Sequence, residues 1–167
     1  MTSHRAILRR TSLVFALIAM ISVASCSKTQ KPDESSTPQA PAADDNVMGD
    51  SDSGKASGLQ TVHFPYDSFV LDSEGKSILK SNAEILKSKP SLKIQVEGHC
   101  DQRGGIQYNI ALGEKRANVA KKYLEDLGVG SDRITTISYG KERPTDPGTT
   151  EEAYAKNRRD NFAVTSR

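Results

Sequence analysis

The chain has 167 residues, 35% hydrophobic and 5% aromatic, with 23 basic against 21 acidic side chains and a formal net charge of +2. That length holds one ordinary domain plus accessories and excludes two full domains. No basic run is interleaved with aromatics and Trp is absent, which argues against a nucleic-acid partner.

The N-terminus reads as an address. His4, Arg5, Arg9 and Arg10 precede an apolar run over residues 13–21. The run is too short for a bilayer span, which needs ~20 residues, and suits the apolar region of a signal peptide. It ends in Val23-Ala24-Ser25-Cys26, which resembles a bacterial lipobox. The resemblance implies diacylglycerol on the Cys26 thiol, cleavage before that residue and a further acyl chain on its amine. Two or more chains give stable anchoring where one is marginal. Residues 1–25 are therefore expected to be a lipoprotein signal peptide. Ser27 and Lys28 follow, with no Asp after the cysteine. By similarity to the enterobacterial sorting pattern, that places the anchor in the outer membrane, facing the periplasm. Residues 26–58 are expected to be the lipidated Cys and a disordered tether, because Val47 and Met48 are their only larger apolar residues after the cysteine. Such a coil spans ~30 Å on average and roughly 100 Å when stretched.

Residues 59–167 carry the folded domain. The pattern predicts a strand over 59–64 ended by Pro65, then a helix capped by Asp72 and running to about 87, with Pro90 beyond it. Residues 92–97 alternate strictly, as a strand with one face in the core does. A loop over 98–105 leads to the longest helix, 108–127, stopped by Gly128. A strand over 134–139, a short helix over 150–157 and a last strand over 161–165 complete the chain. The class is α+β: a βαβαβ-type two-layer domain with helices packed on one small mixed sheet.

The long helix contains an anomaly. Projected at ~100° per residue, Leu112, Ala117, Val119, Ala120, Tyr123, Leu124 and Leu127 share one arc, and the polar Asn109 and Arg116 fall inside it. An inward guanidinium is costly unless paired. The helix alone leaves two readings open: a structural salt bridge or snorkelling Arg, and a ligand-binding Arg whose planar fork takes a carboxylate. The preceding loop, with Asp101 and the Gly104-Gly105 turn, tips the balance. Asp101 and Arg116 are expected to face a common pocket that suits a zwitterion, with Asn109 between them. His99 and Cys100 are neighbours on an extended segment, so they point to opposite sides and make no catalytic dyad. His63, His99 and Cys100 lack metal-ligand spacing. Arg158 and Arg159, beside Asp160, read as structural pairs or solvated charge. No nucleophile, zinc set or carboxylate pair supports the alternative of a wall-cleaving hydrolase, and no cofactor motif is present.

The segment from Gly98-His99-Cys100-Asp101-Gln102-Arg103-Gly104-Gly105 through Tyr108-Asn109 to Leu112-Gly113-Glu114-Lys115-Arg116-Ala117 closely resembles the OmpA C-terminal-like domain family. Phe64-Pro65-Tyr66-Asp67-Ser68, Ser138-Tyr139-Gly140-Lys141-Glu142-Arg143-Pro144 and Ala153-Tyr154-Ala155-Lys156-Asn157-Arg158-Arg159 are similar to its other motifs. The resemblance covers about residues 60–165. It implies a non-catalytic protein that binds the diaminopimelate-containing stem peptide of peptidoglycan and tethers the outer membrane to the wall. Asp101 would hold the ammonium and Arg116 the carboxylate of the diaminopimelate end, Asn109 and Leu112 would line the pocket, and Arg103, Tyr66 and Asp67 would border the peptide. The resemblance also implies a periplasmic propeller partner from the Tol system of envelope maintenance and cell division. Cys100 and Gly105 depart from the family's usual residues, and Pro65 interrupts the first strand.

Overall fold

The structure, a computed structural model, describes residues 47–167. The expected signal segment 1–25, the acylation site Cys26 and the tether up to residue 46 lie outside the described residues.

Seven elements follow in order: β1 (Val62–His63), α1 (Ser73–Ser88), β2 (Lys93–His99), α2 (Ile106–Asp126), β3 (Ile134–Gly140), α3 (Glu151–Asn157) and β4 (Arg159–Ser166), with a 3-10 turn at Ser131–Arg133. Asp72 caps α1 by accepting from Gly75 N at 2.7 Å, and Thr150 caps α3 by accepting from Ala153 N at 3.3 Å. Helix α2 begins at Gly105 without a side-chain cap and ends where Gly128 turns left-handed at φ +91°.

The sheet order is β1-β4-β2-β3. Strand β2 runs parallel to β3 and antiparallel to β4, and β4 pairs antiparallel with β1. Parallel neighbours need a crossover, and α2 supplies it between β2 and β3. The result is the α+β class expected, helices packed on a small mixed sheet. Leu79 and Leu86 of α1, Ala117, Ala120 and Leu124 of α2, Ile94 and Val96 of β2, and Phe162 and Val164 of β4 form a single apolar core.

The expected domain boundary is corrected. Residues 48–58 do not belong to a tether, because they pack on the domain. Met48 N donates to Val164 O at 2.7 Å, Val164 N to Gly49 O at 2.8 Å and Ser51 N to Phe162 O at 3.1 Å, and Ala56 is buried in the core. Composition hid this, because pairing with an open sheet edge uses main-chain groups and needs few apolar side chains. It also explains why the expected strand over 59–64 shrinks to Val62–His63: β4 has one free edge, and residues 48–51 share it with β1. Strand β2 extends two residues past its expected end at 97, and β4 starts two residues before 161. Gly98 pairs there with Asp160, and neither residue follows the apolar alternation from which strands were read.

Gly98 lies directly under Gly113 of α2. A Cβ at Gly98 would overlap the Gly113 carbonyl, and one at Gly113 would overlap the Ser138 hydroxyl. This close approach seats α2 on the end of β2, so that Arg116, one turn further on, reaches the end of that strand. Gly98→Ala should therefore cost about 1–3 kcal/mol of overpacking. The measurement is the urea midpoint at unchanged m-value, and a loss under about 0.5 kcal/mol would mean that the two backbones are not in contact.

Candidate ligand-binding site

Where β2 ends, the chain turns through Gly104 at φ +85° into α2. Asn109, in the first turn, ties this loop down by donating Nδ2 to Arg103 O at 2.8 Å and to Gly105 O at 3.2 Å. Its amide donors are thus spent on the loop rather than offered to a ligand. Between the loop, α2 and residues 66–67 lies a cavity of about 240 Å³. That is smaller than the roughly 300–1,000 Å³ of sites for drug-sized ligands, and it suits the end of one amino-acid side chain.

All seven side chains singled out in the sequence border this cavity: Asp101, Asn109, Leu112 and Arg116 together with Arg103, Tyr66 and Asp67. Cys100, Gly104, Tyr108 and Arg158 join them. Tyr108 hydroxyl donates to Asp67 Oδ1, and this bond holds the phenol's pKa above its usual value. Tyr108 had no sequence signal beyond its place inside the family motif.

Arg158 had one, because the sequence reads it, with Arg159, as a structural pair or solvated charge, and a structural pair is what forms. It does not pair with Asp160, and neither does Arg159: Arg158 Nη1 lies 3.3 Å from Asp101 Oδ2 and 2.8 Å from Glu151 Oε1, while Arg159 Nε lies 2.7 Å from Asp52 Oδ2. Arg158 and Arg159 are consecutive and take partners on different sides, Asp101 at the cavity for Arg158 and Asp52 for Arg159.

Arg116 is 0% exposed. Its Nε donates to Ser68 O at 2.8 Å, Nη1 to His99 O at 2.8 Å and to Cys100 Sγ at 3.6 Å, and Nη2 to Pro65 O at 3.2 Å. The guanidinium also lies 5.0 Å from the centre of the Phe64 ring. Among the described residues no carboxylate is within ion-pair distance of it. Of the five N–H groups of a guanidinium, only one, on Nη2, is left over, so the open fork expected from the sequence is mostly engaged by the protein's own carbonyls. The charge borders the cavity, and its remaining Nη2 hydrogen is the one donor not taken by the protein itself. Burial lowers its pKa.

Asp101 is not an open carboxylate either. Its Oδ1 accepts from Arg103 N at 3.1 Å and Arg103 Nε at 3.2 Å, and its Oδ2 from Arg103 Nη2 at 2.6 Å and Arg158 Nη1 at 3.3 Å. Burial pushes the carboxyl up, but the hydrogen bonds from Arg103 and Arg158 outweigh it and hold the group below the ordinary carboxylate range.

Two further groups close to Arg116 matter. The Cys100 thiol donates to Asn109 O at 3.3 Å, and burial pushes its pKa up to about 11, which disfavours the thiolate a nucleophile requires. Asp160 shares the helix-facing side of β4 with Phe162 and Val164, is 0% exposed, and neither carboxylate oxygen has a hydrogen-bond partner among the described residues. Burial raises its pKa well above the usual value, and attraction to Arg116 and Arg159 offsets this only in part. Among the described residues no group of three or more His, Cys, Asp or Glu side chains is arranged to hold a metal ion.

The sheet order, the helix layer and a cavity at the β2–α2 junction define an OmpA-like α+β domain. The chain belongs to the OmpA family, whose model matches residues 63–158. It is 33% identical over 154 residues to the peptidoglycan-associated lipoprotein of Mesorhizobium japonicum, covering 92% of each chain. It is 44% identical over 99 residues to that of Pasteurella multocida, where the match takes in 59% of this chain and 66%, just under two thirds, of the relative. The crystal structure of the peptidoglycan-associated lipoprotein from Burkholderia pseudomallei superposes with a TM-score of 0.62 at 35% identity, over 68% of this chain and 96% of that one. None of these names describes an enzyme.

Asp160 makes a pH-dependent prediction. Its folded pKa is raised, so at neutral pH the fold must bury either an unpartnered charge or a proton taken up at a cost, while the unfolded chain ionises freely. Asp160→Ala should therefore stabilise the domain at pH 7 by about 1–3 kcal/mol. The gain should fade as pH drops through the unfolded carboxylate's value, about 3.9, where both states are protonated. Thermal or urea unfolding of the two proteins between pH 3 and 8 reads this directly, and a gain independent of pH would contradict it.

Proposed function

We propose that this chain is a non-catalytic, lipid-anchored envelope protein. It binds the diaminopimelate-containing stem peptide of peptidoglycan at the Asp101–Arg116 cavity and so ties the outer membrane to the wall. The observation that carries this reading is a buried guanidinium without a carboxylate partner, Arg116, bordering the same amino-acid-sized cavity as a loop carboxylate, Asp101. A carboxylate supplied by a ligand would be the counter-ion Arg116 lacks, taking the spare Nη2 hydrogen in a charge-assisted bond. The ligand's ammonium would sit at Asp101. Leu112 lines the pocket beside the aliphatic stem, and Tyr66, Asp67 and Arg103 border the peptide at the mouth. The names of the relatives, each a peptidoglycan-associated lipoprotein, support the choice of polymer. Membrane attachment falls to Cys26, and the Tol-system propeller protein is the proposed protein partner, in envelope maintenance and cell division.

Lysine at the third stem position keeps the ammonium and lacks the carboxylate. Calorimetric titration should show the diaminopimelate peptide binding at least about tenfold more tightly than its lysine counterpart, since a hydrogen bond to a charged group contributes about 1.5–3 kcal/mol. Equal affinities would sink the reading. On purified sacculi the protein should co-sediment without releasing soluble fragments, and release of fragments would favour a wall hydrolase instead.

A further inference from the structure

Asp101 is already saturated, and by one residue in particular. A carboxylate offers about four lone-pair sites, and Arg103 fills three of them through its main-chain N, Nε and Nη2, while Arg158 Nη1 takes the fourth. An ammonium arriving at Asp101 must therefore displace a partner.

The two guanidiniums are not equally held. Arg158 has a side chain 9% exposed, with Nε donating to Phe64 O at 3.1 Å and Nη1 lying 2.8 Å from Glu151 Oε1. Arg103 has a side chain 34% exposed and sits at the mouth, its guanidinium 4.0 Å from the centre of the Tyr66 ring and 4.5 Å from that of Tyr154. Its Nη1 already lies 3.2 Å from Glu151 Oε2, and Glu151 is 60% exposed on its side chain. Arg103 thus has a second resting place. It can pivot outward toward Glu151, remain against the two tyrosine rings, and release Asp101.

We propose that Arg103 is a displaceable latch whose guanidinium occupies the ammonium position at Asp101 in the empty site, so that ligand binding is an exchange of one cation for another. This deepens the reading given above and rests on it. Two consequences follow from the chemistry. The latch supplies most of the hydrogen bonds to the Asp101 carboxylate when no ligand is present, Arg158 adding one. It also lowers affinity selectively for ligands that bring an ammonium to Asp101, because only those must displace it.

The test compares two stem peptides on the full folded domain: one with diaminopimelate, and one with 2-aminopimelate, which keeps the distal carboxylate and lacks the distal ammonium. Wild type is set against Arg103→Ala and Arg103→Met; the Met side chain retains the apolar stem between the tyrosines and loses every guanidinium donor. Both variants should bind the diaminopimelate peptide about five- to twentyfold more tightly than wild type, the range expected for removing one competing charged hydrogen bond. Affinity for the 2-aminopimelate peptide should move less than about twofold. Equal gains for both peptides, no change, or weaker binding in the variants would each overturn the latch, the last making Arg103 a direct ligand contact. A wild-type protein that fails to bind the diaminopimelate peptide would remove the underlying reading itself. The two failures are therefore distinguishable.

Discussion

Arg116 carries a full charge with no exposed surface, and the domain is arranged around meeting its requirements. Removing a guanidinium from water is tolerable only when most of its N–H groups are bonded. Here the acceptors are main-chain oxygens from two distant segments: His99 at the end of β2, and Pro65 and Ser68 in the connection between β1 and α1. One side chain of α2 thereby fixes the end of a strand and a stretch without regular secondary structure, the stretch that presents Tyr66 at the cavity mouth. Carbonyls bring partial charges only, so the guanidinium remains net positive after its bonds are made. That residual field is what distinguishes it from a structural ion pair.

The two faces of the sheet solve opposite problems. The helix side is largely apolar, with Arg116, Asp160, Asn82 and Ser138 among its buried polar groups. The far side is a polar layer: Asn161 Nδ2 donates to Glu97 Oε2 at 2.7 Å, Ser51 Oγ donates to Asn161 Oδ1 at 2.9 Å, and Arg159 meets Asp52 at 2.7 Å. His99 stacks there against Tyr139 at 5.5 Å between ring centroids, and burial lowers its pKa, which favours the neutral ring. This layer explains how residues 50–55, without apolar side chains, are held: Ser51 and Asp52 join a partly buried network with Thr61, Glu97 of β2, and Arg159 and Asn161 of β4.

What was legible in the sequence follows from this division. Helix α2 and strand β2 show their periods because one face of each meets an apolar layer, and Asn109 and Arg116 were visible as violations of that period. Residues 48–51 were not legible, because a main-chain ladder leaves no side-chain pattern. The role of Asp101 was legible only in part. Sequence showed a carboxylate delivered to the start of a helix, but not that Arg103, two residues on, and Arg158, far along the chain, would both reach it first. Asn109 repeats the lesson: its position was right, yet its donors serve the loop that shapes the cavity.

The charges around the cavity balance. Arg103, Arg116 and Arg158 face Asp67, Asp101 and Glu151, with Glu151 shared between two of the guanidiniums. A neutral set of this kind gains little from a lone cation or a lone anion, since either one leaves the site with an excess charge. A zwitterion leaves the balance intact while exchanging internal partners for its own. Electroneutrality of the empty site, together with the uncompensated field of Arg116, is therefore what would separate a doubly charged amino-acid end from the simple amines and carboxylates around it.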